Sequence, residues 1–144
     1  IDVALGDATV SEPDWIAGHD LLAFAGIPPA RIALIPREQH FAEKIHAYTL
    51  RKDLSNSRVR DLADLVILIQ KGLPEAPKVI AAVQATFNRR KTHAVPASLP
   101  APPVEWAEPY RKIADDIALT PNEATAAFAL VRDYWDGLKF KEKR

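Results

Sequence analysis

Between residues 59 and 69 the sequence VRDLADLVILI passes from interleaved charges to an almost unbroken apolar run, with Gly72 and Pro74 close behind it. The segment reads as a helix starting near Ser57 and running to Lys71, where glycine and proline act as stop signals. A helix whose later half is apolar on every side has to lie inside the fold. It is too short to cross a bilayer, which takes about 20 apolar residues. Other elements must therefore wrap around it, and this constraint sets the expected fold class: α+β, mostly helical.

The flanking sequence supplies those elements. In REQHFAEKIHAYTLR, Phe41, Ile45 and Tyr48 recur at four and three residues, the spacing of one buried helix face. A third helix is expected over about residues 76–90, carrying Val79, Ile80, Val83 and Phe87. Ahead of these, residues 1–5 (IDVAL) and 31–35 (RIALI) read as short strands, the second ended by Pro36. A short helical piece lies around HDLLAFAG, where Gly26 suits a helix C-terminus.

After residue 92 the character changes. HAVPASLPAPPVEWAEP places five prolines in a short span, which demands an extended connector. Beyond it Trp106, Tyr110, Ile113 and Ile117 give an amphipathic helix, and Phe128, Val131, Trp135 and Leu138 a last one. TPNE at 120–123 reads as a helix start, with Thr120 as cap, Pro121 in the first turn and Glu123 closing a capping box. The terminal KFKEKR should fray. The expected organisation is thus residues 1–92, a Pro-rich connector over 93–105, and a helical C-terminal unit over 106–144.

Bulk properties narrow the function classes. A chain of 144 residues is long enough for a substantial core. It has no cysteine, which excludes disulfides, thiolate metal sites and a catalytic thiol. Nineteen basic against nineteen acidic residues argue against a nucleic-acid field spread over the whole surface. No run of eighteen apolar residues occurs, so a soluble, cytoplasmic chain with no membrane partner is expected. The chain lacks methionine and opens on IDVAL, a strand pattern already under way, so it is expected to be the later part of a longer or processed protein.

The charges of SNSRVRDLAD admit two readings. On a helix Arg58 and Asp61 are three apart and Arg60 and Asp64 four apart, so two intrahelical ion pairs, each worth at most about 0.5 kcal/mol, account for them. Alternatively, the short link after FAEKIHAYTL returns the chain antiparallel and brings Lys44 toward the turn from Arg58 to Asp64. A lysine point charge beside carboxylates suits the handling of a nucleotide phosphate. A solvated Lys44 is the plain alternative.

FAEKIHAYT followed by NSRVRDLADLVIL resembles the signature of the abortive-infection nucleotidyltransferase toxins of the AbiEii/AbiGii type. There an Ala-Glu-Lys helix precedes a helix with Ser-Arg-x-Lys/Arg-Asp-x-x-Asp-Leu. IDVALGD and GIPPARIALIPREQHFAEK resemble the family's strand and its approach to the lysine. The likeness covers about the first seventy residues. It implies the later part of a polymerase-beta-like nucleotidyltransferase fold that takes a nucleoside triphosphate with Mg²⁺ and transfers a nucleotide to RNA, in some members the 3′ end of tRNA. A cognate antitoxin is the implied protein partner. Carried over by position, Asp2 is the metal-site carboxylate, Lys44 the phosphate-contacting lysine and Asp61 the aspartate of the Arg-Asp motif. These three form the expected catalytic set; Arg58, Arg60 and Asp64 join Lys44 in nucleotide binding.

One departure stands out. The family's Gly-Ser and Asp-x-Asp, which supply two of three metal carboxylates, have no match; ALGDATVSEPDW offers only Gly6, Asp7 and Asp14. The chain alone is therefore expected to be inactive, and a non-catalytic helical interaction module is the rival reading. His19, His40, His46 and His93 show no His-Glu-x-x-His spacing and are not expected to bind metal. The aromatics near 106–110 and 134–135 are expected in the core in preference to base stacking. NRRKTH at 88–93 is expected to complement a helix C-terminus before an RNA backbone.

Overall fold

The structure, a computed structural model, describes residues 11–50 and 57–140. A two-stranded antiparallel sheet comes first, β1 (Asp14–Ala17) and β2 (Arg31–Leu34), in the register Asp14 to Leu34 and Ala17 to Arg31. Among the described residues five α-helices follow: α1 (Arg37–Thr49), α2 (Ser57–Gln70), α3 (Ala76–Arg90), α4 (Ala107–Asp116) and α5 (Ala124–Gly137). The mostly helical α+β class thus holds. Among the described residues no helix is long and apolar enough to cross a membrane.

The apolar run of α2 dictates the packing. Val59, Leu62, Leu65 and Val66 are completely buried, and Leu68 nearly so. They meet Phe41 and Ile45 of α1, while Val79 and Val83 of α3, Tyr110 of α4 and Val131 and Trp135 of α5 join the same core. Each of these lies on the stripe that its sequence period marks. Fully burying a side chain of this size contributes roughly 1.5–3 kcal/mol, so this cluster is the main source of stability. The aromatics take part: Trp106 and Trp135 are buried, and Tyr134 meets Phe41 edge-on at 5.4 Å.

The antiparallel course of α1 and α2 is fastened at one end by a residue that the sequence reading passed over. Arg37, first residue of α1, donates from Nη1 to the carbonyls of Lys71 (3.1 Å) and Gly72 (3.0 Å). Those carbonyls lie where a helix end leaves acceptors without partners, and a guanidinium also suits the negative end of the dipole. Gly72 has a φ of 88°, a value that favours glycine and lets the chain leave α2.

Several expectations change. β1 was not foreseen, because its residues, Asp-Trp-Ile-Ala, show no alternation of apolar and polar side chains. The strand expected over residues 1–5 lies outside the described residues. The turn at Ala23–Ala25 does end on Gly26 in the left-handed region, as expected. Ile117 is exposed, since α4 stops at Asp116 and the chain turns through Ala118 at φ 52°.

TPNE does not start a helix either: α5 begins at Ala124, and Glu123 precedes it in extended backbone with no side-chain cap. Residues 120–122 are held as the α4–α5 turn instead. Gln70 donates to the Thr120 carbonyl, the Tyr110 hydroxyl to the Pro121 carbonyl (3.1 Å), and Asn122 to the Asp115 carboxylate (3.1 Å). The Pro-rich connector leans on α1, with Leu99 buried and the Pro100 carbonyl accepting from the Tyr48 hydroxyl at 2.7 Å.

Candidate active site

Lys44 stands at the rim of the buried face of α1, one residue before Ile45 and three after Phe41. From there its side chain crosses to α2. Lys44 Nζ lies 3.1 Å from Asp61 Oδ1 and 2.6 Å from Asp64 Oδ2, while Arg58 Nη1 lies 3.0 Å from Asp61 Oδ2. Asp61 and Asp64 are three apart, so one face of α2 presents both carboxylates to one ammonium. The antiparallel return expected from the sequence thus brings Lys44, Arg58, Asp61 and Asp64 together.

The members are not equally enclosed. The Asp61 side chain is 9% exposed, those of Lys44 and Arg58 25% and 29%, and that of Asp64 38%. Burial opposes the charge on Lys44, but the carboxylates of Asp64 and then Asp61 outweigh it and hold the ammonium above the ordinary lysine range. Lys44 is therefore a fixed cation at neutral pH, suited to receive an oxyanion and unsuited to act as base or nucleophile. Asp61 has each oxygen engaged by a cation, which makes it the pin that positions Lys44 and Arg58. Arg58 Nε is buried with no hydrogen-bond partner among the described residues.

One sequence reading needs correcting here. Asp64 pairs across to Lys44, and no ion pair between Asp64 and Arg60 occurs among the described residues; Arg60 is exposed. The longer reach to α1 wins because Lys44 is half-enclosed and gains more from a counter-charge than a solvated arginine does. Asp2, the expected metal-site carboxylate, lies outside the described residues. Among the described residues no group of three His, Asp or Glu side chains is placed to hold a metal ion. Asp61, already gripped by two cations, does not fit a magnesium ligand set.

Sequence reasoning also missed a polar junction at the far end of α1. The His46 and His93 rings lie 4.7 Å apart. Arg90 Nη1 donates to His46 Nδ1 (3.1 Å), which leaves Nε2–H to donate to Thr92 Oγ1 (2.7 Å). Thr49 Oγ1 lies 2.8 Å from His93 Nε2. The signal was the position of His46 beside Ile45, on the buried side of α1. A groove of about 870 Å³ adjoins this junction, lined by Phe87, His93, Val95, Trp135 and Phe140 among others. It contains no member of the Lys44 cluster, and its walls are mainly apolar. At Lys44, by contrast, opposed charges converge at the surface.

The family model of the nucleotidyl transferase AbiEii toxin of type IV toxin–antitoxin systems matches residues 1–136. No curated protein matches the chain. With nearly its whole length covered, the chain belongs to the AbiEii nucleotidyl transferase toxin family.

Proposed function

We propose that the chain works as part of a toxin that transfers a nucleotide from a nucleoside triphosphate to RNA, with the 3′ end of tRNA, the acceptor that the resemblance implies for some members, as one such acceptor. The observation that carries this is the meeting of Lys44 with Asp61 and Asp64 at 3.1 and 2.6 Å, across two helices. Nucleotidyl transfer breaks the bond between the α and β phosphates and joins the α phosphate to an acceptor hydroxyl, releasing pyrophosphate. The work asked of the protein is positioning and charge neutralisation. Lys44 supplies a positive point at the triphosphate, Asp61 holds it there, and Arg58 adds a second cation anchored to the same carboxylate.

Family membership implies Mg²⁺ as well, with Asp2 the residue that corresponds by position; no step is assigned to it from the described side chains. The chain contains no Gly-Ser pair and no Asp-x-Asp. On that ground we propose that the 144 residues alone bind nucleotide without transferring it. A cognate antitoxin as partner and a cytoplasmic location belong to the same reading.

The test is thermal melting with each of the four ribonucleoside triphosphates and Mg²⁺. A ligand at 100 times its Kd stabilises by about 2.7 kcal/mol, so at least one triphosphate should raise the melting temperature of the wild type. Lys44→Ala should abolish the rise. A wild-type melt that no triphosphate moves, or an equal rise in Lys44→Ala, overturns the reading.

A further inference from the structure

We propose that Asp64 is a built-in stand-in for phosphate: its carboxylate occupies the Lys44 ammonium and has to release it before a triphosphate can bind. The inference rests on the reading that Lys44 receives a phosphate, and gives that site a threshold.

Three observations separate Asp64 from Asp61. The contact of Lys44 Nζ with Asp64 Oδ2, at 2.6 Å, is shorter than the 3.1 Å contact with Asp61 Oδ1. Asp61 is gripped from both sides, Oδ1 by Lys44 and Oδ2 by Arg58, and its side chain is 9% exposed. Asp64 meets Lys44 through Oδ2, and its side chain is 38% exposed. Rotation of the Asp64 side chain carries its carboxylate into water without moving α2, and Lys44 stays anchored to Asp61. One carboxylate is the pin and the other the gate.

The consequence is electrostatic. Lys44 and Arg58 against Asp61 and Asp64 make a cluster of zero net charge, so an approaching anion meets an ammonium already neutralised. A weak single-charge anion gains too little to displace a carboxylate held at this distance. A triphosphate, with several negative charges along one chain, competes successfully and finds a cation already positioned by Asp61. The arrangement therefore discriminates between polyphosphate and ordinary cellular anions. Once Asp64 is displaced, Lys44, Arg58 and Asp61 leave one net positive charge facing the ligand.

Inorganic tripolyphosphate, titrated calorimetrically into the full chain at low salt without metal, tests this. Asp64→Asn should bind it about tenfold more tightly than wild type, since the competing charge is gone while the shape is kept. Asp64→Ser should shift the same way. Asp133→Asn, which makes the same change of net charge on α5, should stay within about twofold of wild type. Lys44→Ala should lose binding. Equal or weaker binding by both Asp64 variants, with binding still lost in Lys44→Ala, overturns the stand-in and leaves the phosphate reading of Lys44 intact. Unchanged binding in Lys44→Ala, or no binding by wild type and Asp64→Asn alike, overturns both.

Discussion

Replacing Asp61 by asparagine removes one charge from the pin of the cluster while keeping its shape. Asp61 accepts from Lys44 at 3.1 Å and from Arg58 at 3.0 Å. A hydrogen bond to a charged group contributes roughly 1.5–3 kcal/mol, and an exposed ion pair about 0–1 kcal/mol. Lys44 and Arg58 are about a quarter exposed, so water recovers part of what each loses, and Lys44 keeps Asp64. Asparagine still offers one acceptor oxygen. Counting one charged bond at its lower end and the other at the surface value gives about 2 kcal/mol. For a chain of this size that lowers the melting temperature by roughly 4–8 °C. Urea unfolding followed by tryptophan fluorescence measures it, because Trp106 and Trp135 are 3% and 2% exposed and report on the core. Arg60→Gln, an exposed position on the same turn, serves as control and should change stability little. A cycle with Lys44→Met should show coupling of about 1 kcal/mol. An Asp61→Asn protein within about 0.5 kcal/mol of wild type, with no coupling, refutes the view of Asp61 as the pin.

Three further outcomes are expected. Gly72→Ala should cost about 1 kcal/mol in urea unfolding; an added Cβ meets nothing within 4 Å there, so the whole cost is the φ of 88°. Tyr110→Phe should cost about 1 kcal/mol by releasing the Pro121 carbonyl, with α4 otherwise unchanged by circular dichroism. Burial lowers the His93 imidazole below its ordinary 6.5, so the folded chain binds fewer protons there than the unfolded one. That contribution is complete above pH 6.5 and is lost as the pH falls through the folded value. Melting temperature should therefore drop between pH 7.5 and 5, and drop less in His93→Gln; a rise on acidification contradicts the assignment.

The parts legible in the sequence were those where local pattern and tertiary need coincide. The all-round apolar second half of α2 demanded burial, and its stop at Gly72 set the length of the helix. The periods of α1 and α3 marked the faces that cover it. Lys44 could be placed near Asp61 because a short link forces antiparallel return, and that requirement survives ignorance of the link's own course. What local pattern could not decide was competition between partners. Asp64 had Arg60 one turn away and Lys44 across the interface, and only the enclosure of Lys44 made the second preferable. TPNE satisfied every local rule for a helix start, yet Gln70 and Tyr110 reach its carbonyls from other helices and hold it as a turn. Arg37 was illegible for the same reason, since its acceptors lie 34 and 35 residues away.

On the proposed function, the Lys44 ammonium is the group that meets the nucleotide. The most direct test observes that ammonium by ¹⁵N side-chain NMR of the lysine-labelled chain during titration with ATP. Its signal, assigned by its loss in Lys44→Arg, is expected to move progressively and saturate, as the carboxylate of Asp64 gives way to phosphate, while the exposed lysines Lys78 and Lys112 stay in place. A Lys44 signal that holds still through the titration, or moves no more than those of the exposed lysines, contradicts the account.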